Sequence, residues 1–454
     1  MSTFSQSSSQ SFSRAFSKLP SIWHLAWPLI LSNITVPLLG LVDTAVLGHL
    51  DSHIYLAAAT IGANLFSVIY FNFGFLRMSS TGFIAQQKLS SDTGREAIHF
   101  VILRGCCLAL LLAAGLIIFQ DWIFGFGIQL IGGTTQAQVL ALEYCQARIW
   151  GAPAALINLV IVGALLGLGK PKQTFLLLFI TNGTNIVLDY WFVYGLNLGV
   201  KGVAWATVIA NYVSLVAGII LIFKQTNPLL VSRWRKVFEP PTLKKFFQVN
   251  SDIFLRTLFL MTVFLQFIHL GAQQGDAILA ANSVLLTFFF ILSNALDGFA
   301  NAAEISVGQS IRDKNFLEFN SAVAASAIFS IFIALCLSLL FFFFGELIID
   351  LLTDLSHIQE LAKTYLPWIW VLPFTTIICF LLDGVFIGAT ETRAMRNAMV
   401  FSTFLIFMPL CFLILPKGNH ELWLALNIFM VARSISMSWY FFQLKKKIQQ
   451  NFLI

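Results

Sequence analysis

Apolar residues along the chain fall in long runs broken by short polar stretches. They lie at about 22–49, 54–76, 97–120, 139–168, 171–194, 199–224, 246–270, 276–303, 321–344, 363–388, 393–415 and 420–444. Each run is long enough to cross roughly 30 Å of hydrocarbon as a helix. A barrel strand would alternate apolar and polar positions, and these runs do not alternate. In lipid only a helix or a closed barrel satisfies its own backbone groups. The pattern therefore predicts an all-α membrane protein with twelve transmembrane helices.

Composition agrees with that pattern. Of 454 residues, 58% are hydrophobic and only 11% are charged, against about 25% charged in a typical soluble domain. The net charge of +6 would suit nucleic acid if it were clustered, but the basic residues are dispersed. Nineteen of the 27 lie in alternate loops and at the two termini, among them Lys88, Lys170, Arg233, Lys244, Arg312, Arg393 and Lys445. Only Lys201, Lys363 and Lys417 lie in the opposite loops. Basic loops face the cytoplasm, so both termini are expected there. Arg77, Arg104, Arg148, Arg256 and Arg433 fall within the runs. Arg77, Arg104 and Arg433 are near run ends, where long side chains snorkel to the interface.

The expected organisation is a cytoplasmic tail at 1–21, six helices at 22–224, a basic linker at 225–245, six more helices at 246–444, and a second tail at 445–454. The two halves echo each other at an offset of roughly 220 residues, as old duplications in transporters do. "LLGLGKPKQT" (Leu165–Thr174) matches "VFIGATETRA" (Val385–Ala394), which pairs Gly167 with Gly388. "TGFIAQ" (Thr81–Gln86) matches "EISVGQ" (Glu304–Gln309). Six helices per half make these parallel repeats. The six cysteines show no C-x-x-C spacing, so no disulfide or metal framework is expected.

Acids within the spans are where chemistry is expected, because a carboxylate in hydrocarbon costs several kcal/mol unless it faces protein or a watery cavity. Asp43 follows Pro37 and Gly40 in "NITVPLLGLVDTAVLGHL". Pro removes a helix hydrogen bond and Gly permits a bend, so protonation of Asp43 could be coupled to helix bending. Asn182, Asn185 and Asp189 share one helical face, and Thr207 and Asn211 share another on the next helix. With Asn158 they suggest a common polar cavity, since polar faces in hydrocarbon seek one another. In the second half Asn294, Asp297, Asn301 and Glu304 again share a face, and Asp383 precedes Gly384 and Gly388. Glu304 lies near a span end, where solvation competes with a role in a site. Asp252 and Arg256, four residues apart, are placed to pair with each other.

No phosphate-binding G-x-x-x-x-G-K-[ST], no G-x-S-x-G and no zinc motif is present. Neither an enzyme nor an ATP-driven pump is expected, and no cofactor is implied beyond an ion gradient.

Six segments carry a family resemblance: "WPLILSNITVPLLGLVDTAVLGHLDS" (Trp27–Ser52), "FLRMSSTGFIAQ" (Phe75–Gln86), "TNIVLDYWFVYGL" (Thr184–Leu196), "VKGVAWATVIANY" (Val200–Tyr212), "ALDGFANAAEISVGQ" (Ala295–Gln309) and "LLDGVFIGATETRAMRN" (Leu381–Asn397). In them the chain resembles the multidrug and toxic compound extrusion (MATE) family, in its DinF-like bacterial branch. The resemblance implies two six-helix lobes around a central cleft, alternating access, and export of lipophilic cationic or amphipathic drugs from a monomer in the bacterial inner membrane. It also implies that Asp43 and Asp189 are the coupling acids, with Asn158, Asn185 and Thr207 around them. Asp252 and Asp383 do not align with the second-lobe acids of sodium-coupled relatives. The expected coupling ion is therefore H⁺. Na⁺ coupling, or flipping of a lipid or lipid-linked sugar, is the alternative. Partners other than drugs and membrane lipids, nucleic acid included, are not expected.

Overall fold

The computed structural model describes residues 14–32, 47, 53–226, 234–414 and 418–453. They are almost entirely helical, with no strand among the described residues. Eleven helical segments among them are long and apolar enough to cross a membrane, from Ile54–Ala85 to Asn419–Phe452. A further helix, α1, covers 14–32 at the start of the first apolar run.

The helices divide into two compact units. The first spans 31–247 and holds α2 (His53–Asn72), α3 (Phe75–Ala85), α4 (Asp92–Ile118), α5 (Gln120–Ile131), α6 (Thr135–Arg148), α7 (Ala152–Gly167), α8 (Pro171–Tyr190), α9 (Gly199–Thr226) and the short α10 (Trp234–Val237). Its core is built from Ile84, Ile98, Val101, Ile161, Leu165, Leu177 and Ile222. The second unit takes in α1 up to residue 30 and everything from Gln248 onward. It holds most of α11 (Pro240–Gln273), then α12 (Asp276–Arg312), α13 (Phe316–Leu352), α14 (Ser356–Gly388), α15 (Arg393–Val400) and α16 (Asn419–Leu453).

Against the expected halves at 22–224 and 246–444, the difference is the first part of α1. Its Ile22 and Ala26 pack on Phe299, Ala302 and Ala325 of the second unit. Gly298 leaves the room that Ile30 fills.

Each unit contains the same tight seam. In the first, a Cβ on Gly163 would collide with the Arg77 carbonyl, and one on Gly167 would lie 2.8 Å from the Thr81 carbonyl. In the second, a Cβ on Gly384 would collide with the Ala300 carbonyl and one on Gly388 with that of Glu304. Small residues let helix backbones touch where lipid supplies no hydrophobic drive. The seams recur at the offset seen in the sequence, and so do the helix ends beyond them. After α7, Gly169 (φ 69°) donates to Leu166 O and Lys170 to Leu165 O; after α14, Thr390 (φ 55°) donates to Ile387 O and Glu391 to Phe386 O. Both are Schellman-type ends, which need a left-handed residue at that position.

Two elements differ from the apolar pattern for identifiable reasons. The second span continues past residue 76 through α3 to Ala85. Hydropathy falls there because of Ser80 and Thr81, yet their hydroxyls donate back to Leu76 O (2.7 Å) and Arg77 O (3.0 Å) within the helix. Helix α5 occupies a stretch that reads as loop. Phe124 and Ile128 are buried on one side, while Trp122, Phe126 and Leu130 are exposed on the other, so this two-sided helix is too short to register as a span.

Gly388→Val should lower stability by about 2 kcal/mol or more, the cost of overpacking a closed seam. Gly183→Val, at a site with nothing within 4 Å, should not. Thermal unfolding of the purified protein in detergent checks both.

Candidate functional site

In the first unit the polar residues of α7, α8 and α9 come together. Asn185 Nδ2 donates to Thr207 Oγ1 at 3.3 Å, and Thr207 Oγ1 donates to Val203 O at 3.0 Å. Asn158 Nδ2 donates to Asn211 O at 2.9 Å. Gly151, in the turn before α7, allows this approach: a Cβ there would stand 3.3 Å from Val208 Cα and 3.6 Å from Asn211 Nδ2. Sequence reasoning missed a further pair, Thr181 and Ser214, whose hydroxyls lie 2.8 Å apart on the same two helices. Thr181 stands four residues before Asn185 and Ser214 three after Asn211, and that helical spacing would have been the signal.

Asp189 sits one turn beyond Asn185 and is 0% exposed. The helix widens directly after it into a π-helical turn, Trp191–Gly195, a feature often found at functional positions. Asn182 is half-buried on the same face. The side-chain oxygens of Asn158 and Asn185 are buried without a hydrogen-bond partner among the described residues. A buried acceptor left unpaired costs about 1–3 kcal/mol, so each of these oxygens calls for a donor. Water, a protonated acid or a cation would each serve. Asp43, Pro37 and Gly40 lie outside the described residues.

The second unit is arranged differently. Asp383 on α14 accepts hydrogen bonds from two guanidiniums, Arg256 on α11 and Arg433 on α16. Arg433 is 1% exposed. It does not snorkel to an interface as its place near a run end suggested, because a carboxylate inside the bundle neutralises it. The expected Asp252–Arg256 pair does not form either. Asp252 accepts instead from Arg396 Nη1 at 2.6 Å and from Thr392 Oγ1 at 3.2 Å, which turns the two acids toward different partners. Glu304 is buried at the α12–α14 seam and not solvated. Asp297 and Asn301 are half-buried on α12. Arg104, also placed near a run end, is buried in the first unit. Its Nε donates to Val237 O at 2.5 Å and its Nη2 to Lys236 O at 2.8 Å, fastening the last turn of α10.

Two helical units with paired glycine seams, and polar groups turned inward from apolar helices, define a polytopic membrane protein built on a repeat, an architecture common among transporters. The chain belongs to the MatE family, whose profile matches residues 28–191 and 253–413. It is 40% identical over 425 residues to DNA damage-inducible protein F of Escherichia coli K12, covering 92% of this chain and 91% of that protein. It is 25% identical to multidrug resistance protein NorM of Vibrio vulnificus YJ016, covering 89% and 91%. Among solved structures it superposes on a MOP superfamily transporter from Pyrococcus furiosus with a TM-score of 0.83 at 19% identity, covering 95% of this chain and 96% of that one. It superposes equally well, at a TM-score of 0.83, 19% identity and the same coverage, on an outward-facing multidrug resistance MATE family transporter.

Removing one partner of a buried ion pair strands a charge, at about 3–5 kcal/mol. Asp383→Asn, which takes the shared carboxylate from both Arg256 and Arg433, should therefore destabilise the protein by that order, and Arg433→Met should cost less because Asp383 keeps Arg256 as its partner. Thermal unfolding of the three proteins side by side checks this.

Proposed function

We propose that this chain exports lipophilic cationic or amphipathic compounds by alternating access, in exchange for protons entering the cell. The bacterial inner membrane is its place, with both termini cytoplasmic and the monomer as the working unit. Relatives named as multidrug resistance proteins support the substrate class.

The observation that carries the reading is the contrast between the buried acids. Asp189 is fully buried on α8, one turn beyond Asn185, which donates to Thr207. Asp252 and Asp383 already hold guanidiniums. An acid beside neutral dipoles can exchange a proton for another cation. An acid clamped by arginine has a permanent counter-ion.

In this reading ionised Asp189 attracts the cationic substrate while the site faces the cytoplasm. A proton arriving from outside neutralises it, satisfies an orphaned acceptor of the cluster and weakens the hold on the cation. Asp43, close after Pro37 and Gly40, works with Asp189 by coupling its own protonation to bending of the first helix. A flippase for lipid-linked sugar would want surplus basic charge for a pyrophosphate. In the second unit Asp383 and Asp297 offset Arg256 and Arg433, which speaks against that alternative.

Proteoliposomes given a pH gradient or a sodium gradient separately should move ethidium under the pH gradient alone. Asp189→Asn, verified as folded, should lose at least about tenfold of that rate, the scale on which a lost coupling interaction reads out in kinetics. Transport under the sodium gradient alone would replace H⁺ by Na⁺, and undiminished transport by Asp189→Asn would remove Asp189 from the mechanism.

A further inference from the structure

Away from both polar clusters, a cavity of about 320 Å³ lies in the first unit where the linker meets the helices. That size is at the lower end of the range in which small ligands are held. It is lined by α3, α4, α10 and the start of α11. Arg104, 6% exposed, donates from Nε and Nη2 to the carbonyls of Val237 and Lys236. These bonds fasten α10 to α4, beside the stacked rings of Phe83 and Phe246, 5.8 Å apart. The third nitrogen, Nη1, makes no hydrogen bond among the described residues. Arg104 lines the cavity, so that nitrogen is available to a ligand. Glu96 on α4, and Lys236 and Glu239 beside α10, add to the polar lining. Neither carboxylate has an ion pair among the described residues.

The charges are ordered along α4. This helix has 27 residues, about 40 Å at 1.5 Å per residue, against roughly 30 Å of hydrocarbon. Its first turns, with Asp92, Arg95 and Glu96, therefore stand at headgroup level. Arg104 follows about 12 Å further along the axis. Its side chain reaches to the linker, as its two bonds there show. From water inward the cavity offers carboxylate and then guanidinium, with Phe83, Phe100 and Phe246 along the wall. A simple cation would meet Arg104 and Lys236, and a simple anion would meet Glu96 and Glu239. A ligand carrying both charges, cation outermost, and an apolar end satisfies all of them. Phosphatidylethanolamine has that order: ammonium, phosphate, acyl chains. Its ammonium has N–H donors for carboxylates, which the methylated head of phosphatidylcholine lacks. A guanidinium and a phosphate form strong charge-assisted bonds.

We propose that this cavity binds the headgroup of a phosphatidylethanolamine, with Arg104 and Lys236 taking the phosphate and Glu96 and Glu239 the ammonium. The lipid comes from the leaflet on the side of the basic loops, which the topology proposed above makes cytoplasmic. Lys245, whose ammonium stands 5.8 Å from the centre of the Phe83 ring, adds basic charge at the same rim. A headgroup held here bridges α4 to α10 and the start of α11, and so reinforces the attachment that Arg104 makes to the linker backbone.

The test is native mass spectrometry of the purified full chain in detergent micelles holding equal amounts of phosphatidylethanolamine, phosphatidylcholine and phosphatidylglycerol. The one-to-one lipid adduct should favour phosphatidylethanolamine over each of the others by about tenfold, the worth of one charge-assisted hydrogen bond. Glu96→Gln/Glu239→Gln should remove the preference over phosphatidylglycerol. Glu96→Lys/Glu239→Lys should reverse it, a gain that a folding defect does not produce. Hexadecylamine has the ammonium and a chain but no phosphate, and should compete about tenfold less well than the lipid. Glycerophosphoethanolamine, the headgroup without chains, should not displace the lipid at equal concentration. No preference in wild type, an unchanged preference in the glutamine pair or no reversal in the lysine pair would overturn the proposal. So would equal competition by hexadecylamine, which marks a cation site, or by glycerophosphoethanolamine, which marks a site for a soluble metabolite. Binding is read without any gradient, so its outcome is separate from that of the transport reading.

Discussion

Backbone-to-backbone contact across the glycine seams is the constraint on which the rest of the structure depends. Lipid tails are as apolar as leucine, so apolar side chains gain little by leaving them for a neighbouring helix. Close contact must supply the cohesion instead. Gly163 and Gly167 bring α7 onto the backbone of α3, and Gly384 and Gly388 bring α14 onto that of α12. Helices fixed this tightly do not slide freely, and the polar side chains they carry are held at defined separations. Asn158 on α7 and Asp383 on α14 both belong to helices locked in this way.

A shared scaffold then carries two different chemistries. Where α3 has Thr81 at the seam, α12 has Glu304. Where the first unit links amides and hydroxyls to one another across α7, α8 and α9, the second gathers guanidiniums around a carboxylate. The first arrangement leaves the side-chain oxygens of Asn158 and Asn185 without a hydrogen-bond partner among the described residues. The second is closer to charge-balanced, and charged groups that satisfy one another give rigidity more than exchange. A duplicated bundle can divide labour in this way because the seam fixes geometry while neighbouring positions remain free to vary.

Much of this was legible in the sequence, and the exceptions share a cause. Span number and class follow from apolar run length, which depends only on bilayer thickness. The repeat was visible because the seam glycines cannot be replaced without separating helices. The polar faces on α8 and α9 were visible because helical periodicity places Asn182, Asn185 and Asp189 together without reference to any other helix. Partners between helices distant in sequence were not visible. Asp252 and Arg256 have ideal spacing for a local pair, yet each finds a better partner more than a hundred residues away. Local spacing shows which pairs can form, while tertiary packing determines which do.

The arginines make the same point from the side of energy. Arg104 and Arg433 lie near the ends of apolar runs, and the inexpensive expectation for such residues is to extend toward water. Both turn inward. Arg104 takes two backbone carbonyls at the end of α10, and Arg433 takes a carboxylate on α14. Burying a guanidinium is tolerable only when its donors are used. An inward arginine is therefore itself a sign that an acceptor has been set aside for it. For Arg104 that acceptor is the linker backbone, which ties the residues around 236–237 to the first unit. For Arg433 it is Asp383, which accepts from Arg256 as well. The inward arginines thus mark where each unit commits an acceptor to a buried charge, a pair of backbone carbonyls in the first unit and a carboxylate in the second.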